Sequence, residues 1–346
     1  THTGRRSRAV PGQLEHESDC AIDNQYRDGY ITRIGWLTRA STSMPNLNVV
    51  VALITSDNDY QAEQAASATE VAARLGAKIQ IVYADNDAVN QTQILVKIIQ
   101  NTAQRPDAII VEPVGTEMIQ VAKAAVAAGI GWGILNREPE YLSELRRVRQ
   151  APVFSVATDQ IEIGRIQARQ FSALVKNGNI LYIEGPSGGG AAAALRTKGM
   201  LSAKPAGLEM KILKGDWTER SGHHAIKSWM SLSTSRKLDI RLVGCQNDAM
   251  AMGARRAFEE VPGAREREQW LKVPFTGCDG VPQTGQEWVR RGLLTATVVS
   301  PPTAGLALEV LVKAMQSGQD PPQCTSSAVW SFPKIEELER THPSAG

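Results

Sequence analysis

The stretch Gly244-Cys-Gln-Asn-Asp-Ala-Met-Ala-Met-Gly-Ala254 joins an apolar run directly to a segment of small residues. The apolar run from Ile240 to Val243 predicts a buried strand, and the small residues predict a helix. In an open α/β sheet, ligands bind at the carboxyl ends of the strands. Asn247 and Asp248 would lie at such an end, where their donor and acceptors suit a neutral ligand that carries several hydroxyls.

Apolar runs alternate with helical segments from Leu47 onwards, which predicts an α/β protein with parallel sheets and right-handed crossovers. The predicted strands are Leu47–Ile54, Lys78–Tyr83, Ala108–Glu112, Gly131–Leu135, Val153–Ala157, Asn179–Ile183, Leu208–Leu213, Asp239–Val243, Lys272–Thr276 and Thr295–Val299. The scheme runs through both halves of the chain, so we expect two lobes that face a cleft.

Three segments break this pattern. The charged stretches Glu138–Ala151 and Pro262–Gln269 are predicted to be surface connections. Residues 1–46 show little periodicity and are predicted to be an irregular extension, either poorly ordered or non-native. Met44 is the first methionine, and the periodic pattern begins directly after it.

The bulk composition excludes several classes of function. Among the 346 residues the net charge is only +2, which gives no electrostatic case for nucleic acid or an anionic membrane. No apolar run approaches the roughly 18 residues of a membrane span. The four cysteines form no CxxC pair, so a zinc site has no support, and we expect neither a metal nor a cofactor. Cys245 and Cys278 are predicted to be buried thiols, while a disulfide is left open.

Polar or aromatic side chains follow seven of the predicted strands. Each alone is typical of a helix cap or a turn. As a series at one edge of the sheets they indicate a binding site. The residues are Asn58, Tyr60, Gln61, Asn136, Arg137, Asp159, Arg196, Trp217, Asn247, Asp279 and Ser300.

The loop Gly185-Pro-Ser187-Gly-Gly189 raises an enzymatic alternative, because it fits the G-x-S-x-G pattern of a nucleophile elbow between a strand and a helix. Such a hydrolase needs an acid and then a histidine downstream. The one histidine that follows every acid candidate at a strand end is His342, in a polar tail. A serine hydrolase using Ser187 is therefore a remote alternative.

From about Leu47 to Phe332 the chain resembles the type 1 periplasmic sugar-binding proteins, closest in pattern to the ribose-binding branch. The motifs are Asn58-Asp-Tyr60-Gln61, Asn136-Arg137, Thr158-Asp159 with Ile163-Gly164, Arg196-x-x-Gly199, Asp216-Trp217, Gln246 to Ala254, Gly277-Cys-Asp279-Gly280 and Ala296 to Pro302. The resemblance implies two Rossmann-like lobes joined by three crossover hinge segments. These are expected near Ala157–Asp159, Val299–Pro301 and Gln323–Ala328. The lobes would comprise residues 47–157 plus about 301–323, and 158–300 plus about 324–340.

The resemblance also implies roles for the candidate residues. Asn58, Asn136, Arg137, Asp159, Arg196, Asn247 and Asp279 would be polar ligand contacts, and Tyr60 and Trp217 would stack on the ligand. The chain departs from the family pattern at three positions. Asn136 stands where Asp is usual, which removes a charged acceptor; Gln61 replaces an aromatic residue; and Ser300 replaces a glutamine.

The function implied is non-catalytic capture of a monosaccharide-like ligand by hydrogen bonding and hinge closure, for sugar uptake or sensing. The partners would be the membrane permease of an ABC transporter or a sensor protein, and the protein would be a monomer in the periplasm. A cytoplasmic protein starting at Met44 is the alternative location, since no signal peptide is visible. The alternative function is the effector domain of a lactose-repressor-type regulator, which needs a helix-turn-helix within residues 1–46.

Overall fold

The computed structural model describes residues 21–22, 47–115, 118–186, 191–233 and 238–342. The strands are β1 (Ala21–Ile22), β2 (Asn48–Leu53), β3 (Lys78–Tyr83), β4 (Ala108–Val111), β5 (Gly131–Leu135), β6 (Val153–Thr158), β7 (Gly178–Glu184), β8 (Leu208–Lys214), β9 (Ile240–Cys245), β10 (Phe275–Asp279), β11 (Ala296–Val299), β12 (Cys324–Ser327) and β13 (Trp330–Phe332). The helices are α1 (Asp59–Leu75), α2 (Ala88–Gln100), α3 (Ile119–Ala127), α4 (Leu142–Val148), α5 (Gln160–Leu174), α6 (Ala191–Ala203), α7 (Glu219–Met230), α8 (Asp248–Glu259), α9 (Ala264–Leu271), α10 (Gly285–Arg290), α11 (Ala304–Ser317) and α12 (Ile335–Thr341), with a 3-10 turn at Thr102–Gln104.

The first lobe is built on a parallel sheet with the order β1-β12-β6-β5-β4-β2-β3. Its central strands are apolar on both faces because helices cover both sides. The strand order reverses between β2 and β4, and ligands bind at such a switch point in doubly wound sheets. The loops after β2 and β4 are therefore the positions in this lobe where a ligand is expected.

The second lobe repeats the plan with the order β13-β11-β10-β9-β7-β8. All pairs are parallel except β13, which runs antiparallel to β11. Here the order reverses between β7 and β9, so the loop after Glu184 and the residues after Cys245 flank the switch point. The predicted α/β class with two Rossmann-like lobes is confirmed.

The chain passes between the lobes three times. The first passage is at Asp159, between β6 and α5, and the second follows β11 at residues 300–303. The third lies at residues 328–329, because β12 pairs with β6 while β13 pairs with β11. The passage thus lies at the end of the expected hinge segment Gln323–Ala328. It comes a few residues after the expected lobe boundary at about residue 323, since β12, a short polar strand without an apolar run, belongs to the first sheet.

Two predicted surface connections contain helices. Within Glu138–Ala151, α4 buries Leu142 and Leu145 against the first lobe, and within Pro262–Gln269 the helix α9 begins at Ala264. Charged residues dominate both segments, so the few apolar contacts that anchor them gave no periodic signal.

Within the predicted irregular extension before Leu47, Ala21–Ile22 form β1 and pair in parallel with Thr325 and Ser326 of β12. The rest of residues 1–46, with Met44, lies outside the described residues, as does Ser187.

Cys245 and Cys278 are buried free thiols, as predicted. Cys324, in β12, is buried and disulfide-bonded. Within the described ranges, no helix has the length and apolar character to cross a membrane.

Candidate functional site

The carboxyl ends of both sheets face each other across a narrow cavity. Asn58, Asp59 and Tyr60 line it from the first lobe. The second lobe contributes Asp248, Ala249, Asp279, Val281 and Thr284. A separate groove runs along β8 and α7, where it is lined by apolar residues such as Trp229 and Leu232. All residues that line that groove belong to the second lobe, whereas the interlobe cavity joins the ends of both sheets and is therefore the candidate site.

Asn58 and Tyr60 form the first-lobe wall at the start of α1. The Asn58 Oδ1 atom caps the helix by accepting hydrogen bonds from the backbone N–H groups of Tyr60 and Gln61. Its Nδ2 atom points across the cleft, 3.5 Å from the carbonyl oxygen of Trp217. The Tyr60 hydroxyl lies 3.3 Å from the Pro301 carbonyl oxygen in the second crossover. Asn58 is thus both a cap and a cleft residue.

Asn136 lies behind Tyr60 in a polar cluster that the sequence did not reveal. Its Nδ2 atom donates to Glu112 Oε1 at 2.8 Å, and its Oδ1 atom accepts from the hydroxyls of Tyr60, Thr158 and Thr303. Glu112 follows β4 at the switch point and is 7% exposed. The carboxylate that the resemblance leads one to expect at position 136 is therefore supplied from the neighbouring strand. The signal in the sequence was an acid that ends the apolar run Ala108–Val111.

Three predicted contacts use their polar atoms within their own lobe. Gln61 is buried and bonds the Ile54 backbone N–H and Glu112. Arg137 donates to the carbonyl oxygens of Pro113 and Gly115, at 3.0 and 2.8 Å. Asp159 is exposed and caps α5 through the Glu162 N–H. In this arrangement the three side chains support the loops and helices around the cleft.

Arg196 and Trp217 form the second-lobe wall. Arg196 is 8% exposed; its Nε donates to Gln160 and its Nη1 to the Gln246 carbonyl oxygen. Its guanidinium lies over the Trp217 ring, 5.4 Å from the ring centroid, and Nη1 is 4.0 Å from Asp279 Oδ1. Such a stacked and hydrogen-bonded guanidinium is held in one orientation.

The opening motif supplies the base of this wall. Asn247 is buried; it caps α8 through Met250 N–H, and its Nδ2 donates to the Trp217 carbonyl oxygen at 2.8 Å. Asp248 accepts from Gly280 N–H and from the Thr297 hydroxyl. Asn247 thus caps α8, and Asp248 is the first residue of that helix and lines the cavity. The role of Asn247 as a ligand contact, which the resemblance implies, stays a prediction.

Ser300 is buried next to the cavity. Its backbone N–H donates to the Asp279 carbonyl oxygen at 3.0 Å, and the carbonyl oxygen of the following residue, Pro301, accepts from the Tyr60 hydroxyl at 3.3 Å. The second crossover is thereby tied to both lobes.

Three site residues adopt left-handed backbone conformations: Asn136 at φ 58°, Trp217 at φ 72° and Asp279 at φ 108°. This region is unfavourable for residues other than glycine, above all for a bulky residue such as Trp. The Trp217 ring also lies so close to Gly185 that a Cβ there would come within 2.3 Å of it. Backbone strain of this kind concentrates at functional sites, where the surrounding structure holds it in place.

The site carries more acidic than basic groups. Burial raises the pKa of Asp279 to about 7; the Arg196 charge opposes the rise, while Asp59 and Glu112 add to it. Burial and the neighbouring Asp279 hold the pKa of Asp248 well above its usual range. Carboxyl groups in such surroundings mark a cleft as a candidate site.

Comparison with known proteins agrees with this geometry. Residues 49–320 match the model of the family described as periplasmic binding protein domain. The chain belongs to this family. No curated protein matches it.

Solved structures of similar fold include a galactofuranose binding protein, at 23% identity over 86% of this chain and 98% of that one, with a TM-score of 0.70. A periplasmic solute binding protein of an ABC transporter from Actinobacillus succinogenes, with bound D-allose, shares 20% identity over 85% and 99% of the two chains, with a TM-score of 0.71. A solute binding protein from Bacillus halodurans, with bound myo-inositol, shares 22% identity over 87% and 98%, with a TM-score of 0.68. The family membership and the shared fold confirm the predicted resemblance.

Proposed function

We propose that this protein captures a monosaccharide or a cyclic polyol between its lobes. The observation that carries the proposal is the cleft itself, where polar side chains of both lobes converge beside an aromatic ring and a buried guanidinium. Structures of the same fold hold D-allose and myo-inositol, ligands rich in hydroxyls. The hydroxyl groups of such a neutral ligand both donate and accept hydrogen bonds, so they can pair with the donors and the acceptors of the cleft at once.

Recognition would divide between the lobes. The Asn58 amide and the Tyr60 hydroxyl face the cleft from the first lobe, and Arg196 and Asp279 face it from the second. Asp279 accepts hydrogen bonds when ionised, and the guanidinium of Arg196 only donates. A ligand hydroxyl both donates and accepts, so one sugar would satisfy both partners. The Trp217 ring would supply an apolar surface for the C–H face of the ring.

Capture would couple binding to closure. A sugar that contacts both walls stabilises the arrangement in which the lobes approach, and the three crossover segments act as the hinge. The closed protein would then deliver the sugar to the membrane permease of an ABC transporter in the periplasm. Sensing through another partner is the second use of the same cleft. Both roles need binding and release without catalysis.

A thermal-shift screen tests the proposal. The protein is heated with D-galactose, D-allose, L-arabinose, D-ribose, myo-inositol and a nucleoside, each at increasing concentration. A sugar present at a hundred times its dissociation constant adds about 2.7 kcal/mol of stability. Trp217→Ala should weaken binding at least about tenfold and so reduce the shift to about half or less, whereas Trp270→Phe, which alters a ring packed against the core of the second lobe, should retain it. If none of the sugars or polyols shifts the wild-type protein, the proposal fails; labelling of Ser187 by a serine-hydrolase probe would support the enzyme instead.

A further inference from the structure

Glu112 is the centre of a buried hydrogen-bond cluster behind the first-lobe wall. Its carboxylate accepts from three side-chain amides: Asn136 Nδ2 at 2.8 Å, Gln61 Nε2 at 2.9 Å and Gln64 Nε2 at 3.3 Å. A carboxylate without a facing cation is costly to bury unless such donors compensate it. The guanidinium of Arg137, which interacts electrostatically with Glu112, donates its hydrogen bonds instead to two loop carbonyls.

Backbone N–H groups fix the oxygen ends of the Gln61 and Gln64 amides, whereas Glu112 itself fixes Asn136, because the hydroxyls around the Asn136 oxygen could also accept hydrogen bonds. Gln61 Oε1 accepts from Ile54 N–H at 3.1 Å, and Gln64 Oε1 accepts from Ala304 N–H at 2.8 Å. The Asn136 oxygen accepts from hydroxyl groups, the nearest being that of Thr303 at 3.2 Å. Every amide therefore presents its NH2 group to position 112. Position 112 therefore requires a side chain that accepts through both of its terminal atoms, as a carboxylate does. The NH2 group of an amide at this position would face the NH2 group of at least one neighbour.

The cluster also reaches the hinge and the cleft. Thr158 ends β6 beside the first crossover, and Thr303 and Ala304 follow the second. The hydroxyls of Thr158 and Thr303 meet the Asn136 oxygen, and so does that of Tyr60. The orientation of the Asn136 amide thus determines how Tyr60, in the cleft, is joined to the first and second crossover segments.

We propose that Glu112 is a positioning residue for ligand capture, which locks the amides of Asn136 and Gln64 and thereby holds Tyr60 and the crossover at residues 300–304 in the arrangement that receives the ligand. This rests on the proposed sugar-binding function. Glu112 acts through its neighbours and lines no part of the cavity described above.

An exchange of the carboxylate and the amide tests this directly. Glu112→Gln places an NH2 group among NH2 donors, and Asn136→Asp places two carboxylates at hydrogen-bonding distance. In the double variant Glu112→Gln/Asn136→Asp, the new amide oxygen accepts from Gln61 and Gln64. Its NH2 group donates to the new carboxylate at position 136, whose other oxygen accepts the hydroxyls. Every hydrogen bond of the cluster is restored, and only the one between positions 112 and 136 has its donor and acceptor exchanged.

Two measurements are made on the full chain: amide hydrogen exchange in the peptide covering residues 300–308, and affinity for D-galactose, D-allose and myo-inositol. A mispaired buried polar group changes an equilibrium constant by about a factor of ten or more. Each single variant should therefore exchange these amide hydrogens about tenfold faster and bind the ligand about tenfold more weakly. The double variant should return both values to within about threefold of wild type. Glu184→Gln is the matched control, since Glu184 also ends a strand and is 7% exposed but pairs with the exposed Lys214.

The outcomes separate the two proposals. If wild type binds neither these three ligands nor any other sugar or polyol of the thermal-shift panel, the proposed function fails, while the exchange measurement still tests Glu112. Unchanged exchange and affinity in Glu112→Gln, or a double variant that recovers neither, would overturn the positioning role. Recovery of slow exchange without recovery of affinity would overturn it as well, because the Asn136 NH2 group would then serve the sugar itself. If Glu112→Gln does not fold, the double variant must fold for the proposal to stand.

Discussion

Replacing Arg196 with Met should destabilise the protein and weaken sugar binding together. The buried guanidinium donates to Gln160 and to the Gln246 carbonyl oxygen, lies over the Trp217 ring, and is 4.0 Å from Asp279. Met keeps much of the side-chain volume but none of the donors. Both hydrogen-bond acceptors would be left buried, and Asp279 would lose the cation that counters its burial.

The magnitude follows from these contacts. A hydrogen bond from a charged donor contributes about 1.5–3 kcal/mol, and removing one partner of a buried ion pair costs about 3–5 kcal/mol. The hydrogen bonds and the ion pair are made by one side chain, so their contributions are not additive, and we expect a loss of about 3–5 kcal/mol in the free energy of unfolding. The pKa of Asp279, already raised to about 7 by burial, should rise further, so this carboxyl would be protonated at neutral pH.

Urea unfolding and sugar titration of the same samples measure both effects. Arg256→Met is the control, because Arg256 is 65% exposed and pairs with the half-exposed Glu219. Exposed pairs of this kind contribute about 0–1 kcal/mol. The reasoning is refuted if the free energy of unfolding of Arg196→Met lies within about 1 kcal/mol of that of the control.

Three further changes have defined outcomes. Gly164→Ala should lower the free energy of unfolding in urea by about 1–3 kcal/mol, because the new Cβ would lie 2.0 Å from the Arg196 carbonyl oxygen. Gly263→Ala is the control, since its Cβ would meet no atom closer than 3.7 Å and its effect should be near zero. Equal values for the two variants would contradict the close packing of α5 on α6. The pKa of Asp279 is higher in the folded protein than in the unfolded chain, so the folded protein binds more protons between about pH 4 and pH 7. The free energy of unfolding should therefore fall as pH rises through that window, and Asp279→Asn should flatten this fall. A variant with the same pH profile as wild type would contradict the assignment of the fall to Asp279. Trp217→Gly removes the ring but suits φ 72°, so affinity should drop at least about tenfold while the protein still folds; full affinity would exclude stacking.

The sequence predicted the sheets well because parallel strands buried on both faces are continuous apolar runs. Gly131–Leu135, buried throughout, matches the observed strand residue for residue; the edge strand Lys78–Tyr83 matches as well, although it is only partly buried. It failed where the apolar signal is weak: β12 is polar and short, and α4 buries only Leu142 and Leu145. Such elements are held by tertiary contacts that a linear pattern does not record.

The candidate site was predicted in outline but not in its internal roles. Strand ends indicated Asn58 and Asp279, and the loop after β7 led to Arg196 in α6, because the topology of an α/β sheet brings those positions together. Periodicity could not show that Arg137 bonds loop carbonyls or that Glu112 supplies the carboxylate next to Asn136. Those roles depend on contacts between neighbouring strands, which only the folded chain brings within hydrogen-bonding distance.

The central claim, that a sugar is held between the lobes, is tested most directly by isothermal titration calorimetry of wild type and of one variant from each wall. Asn58→Ala alters the first-lobe wall and Asp279→Asn the second. We expect wild type to bind one of the hexoses, pentoses or cyclic polyols with one site per chain, and each variant to bind it at least about tenfold more weakly. Wild-type binding that both variants retain unchanged, or the absence of any binding heat across the panel, would contradict the account.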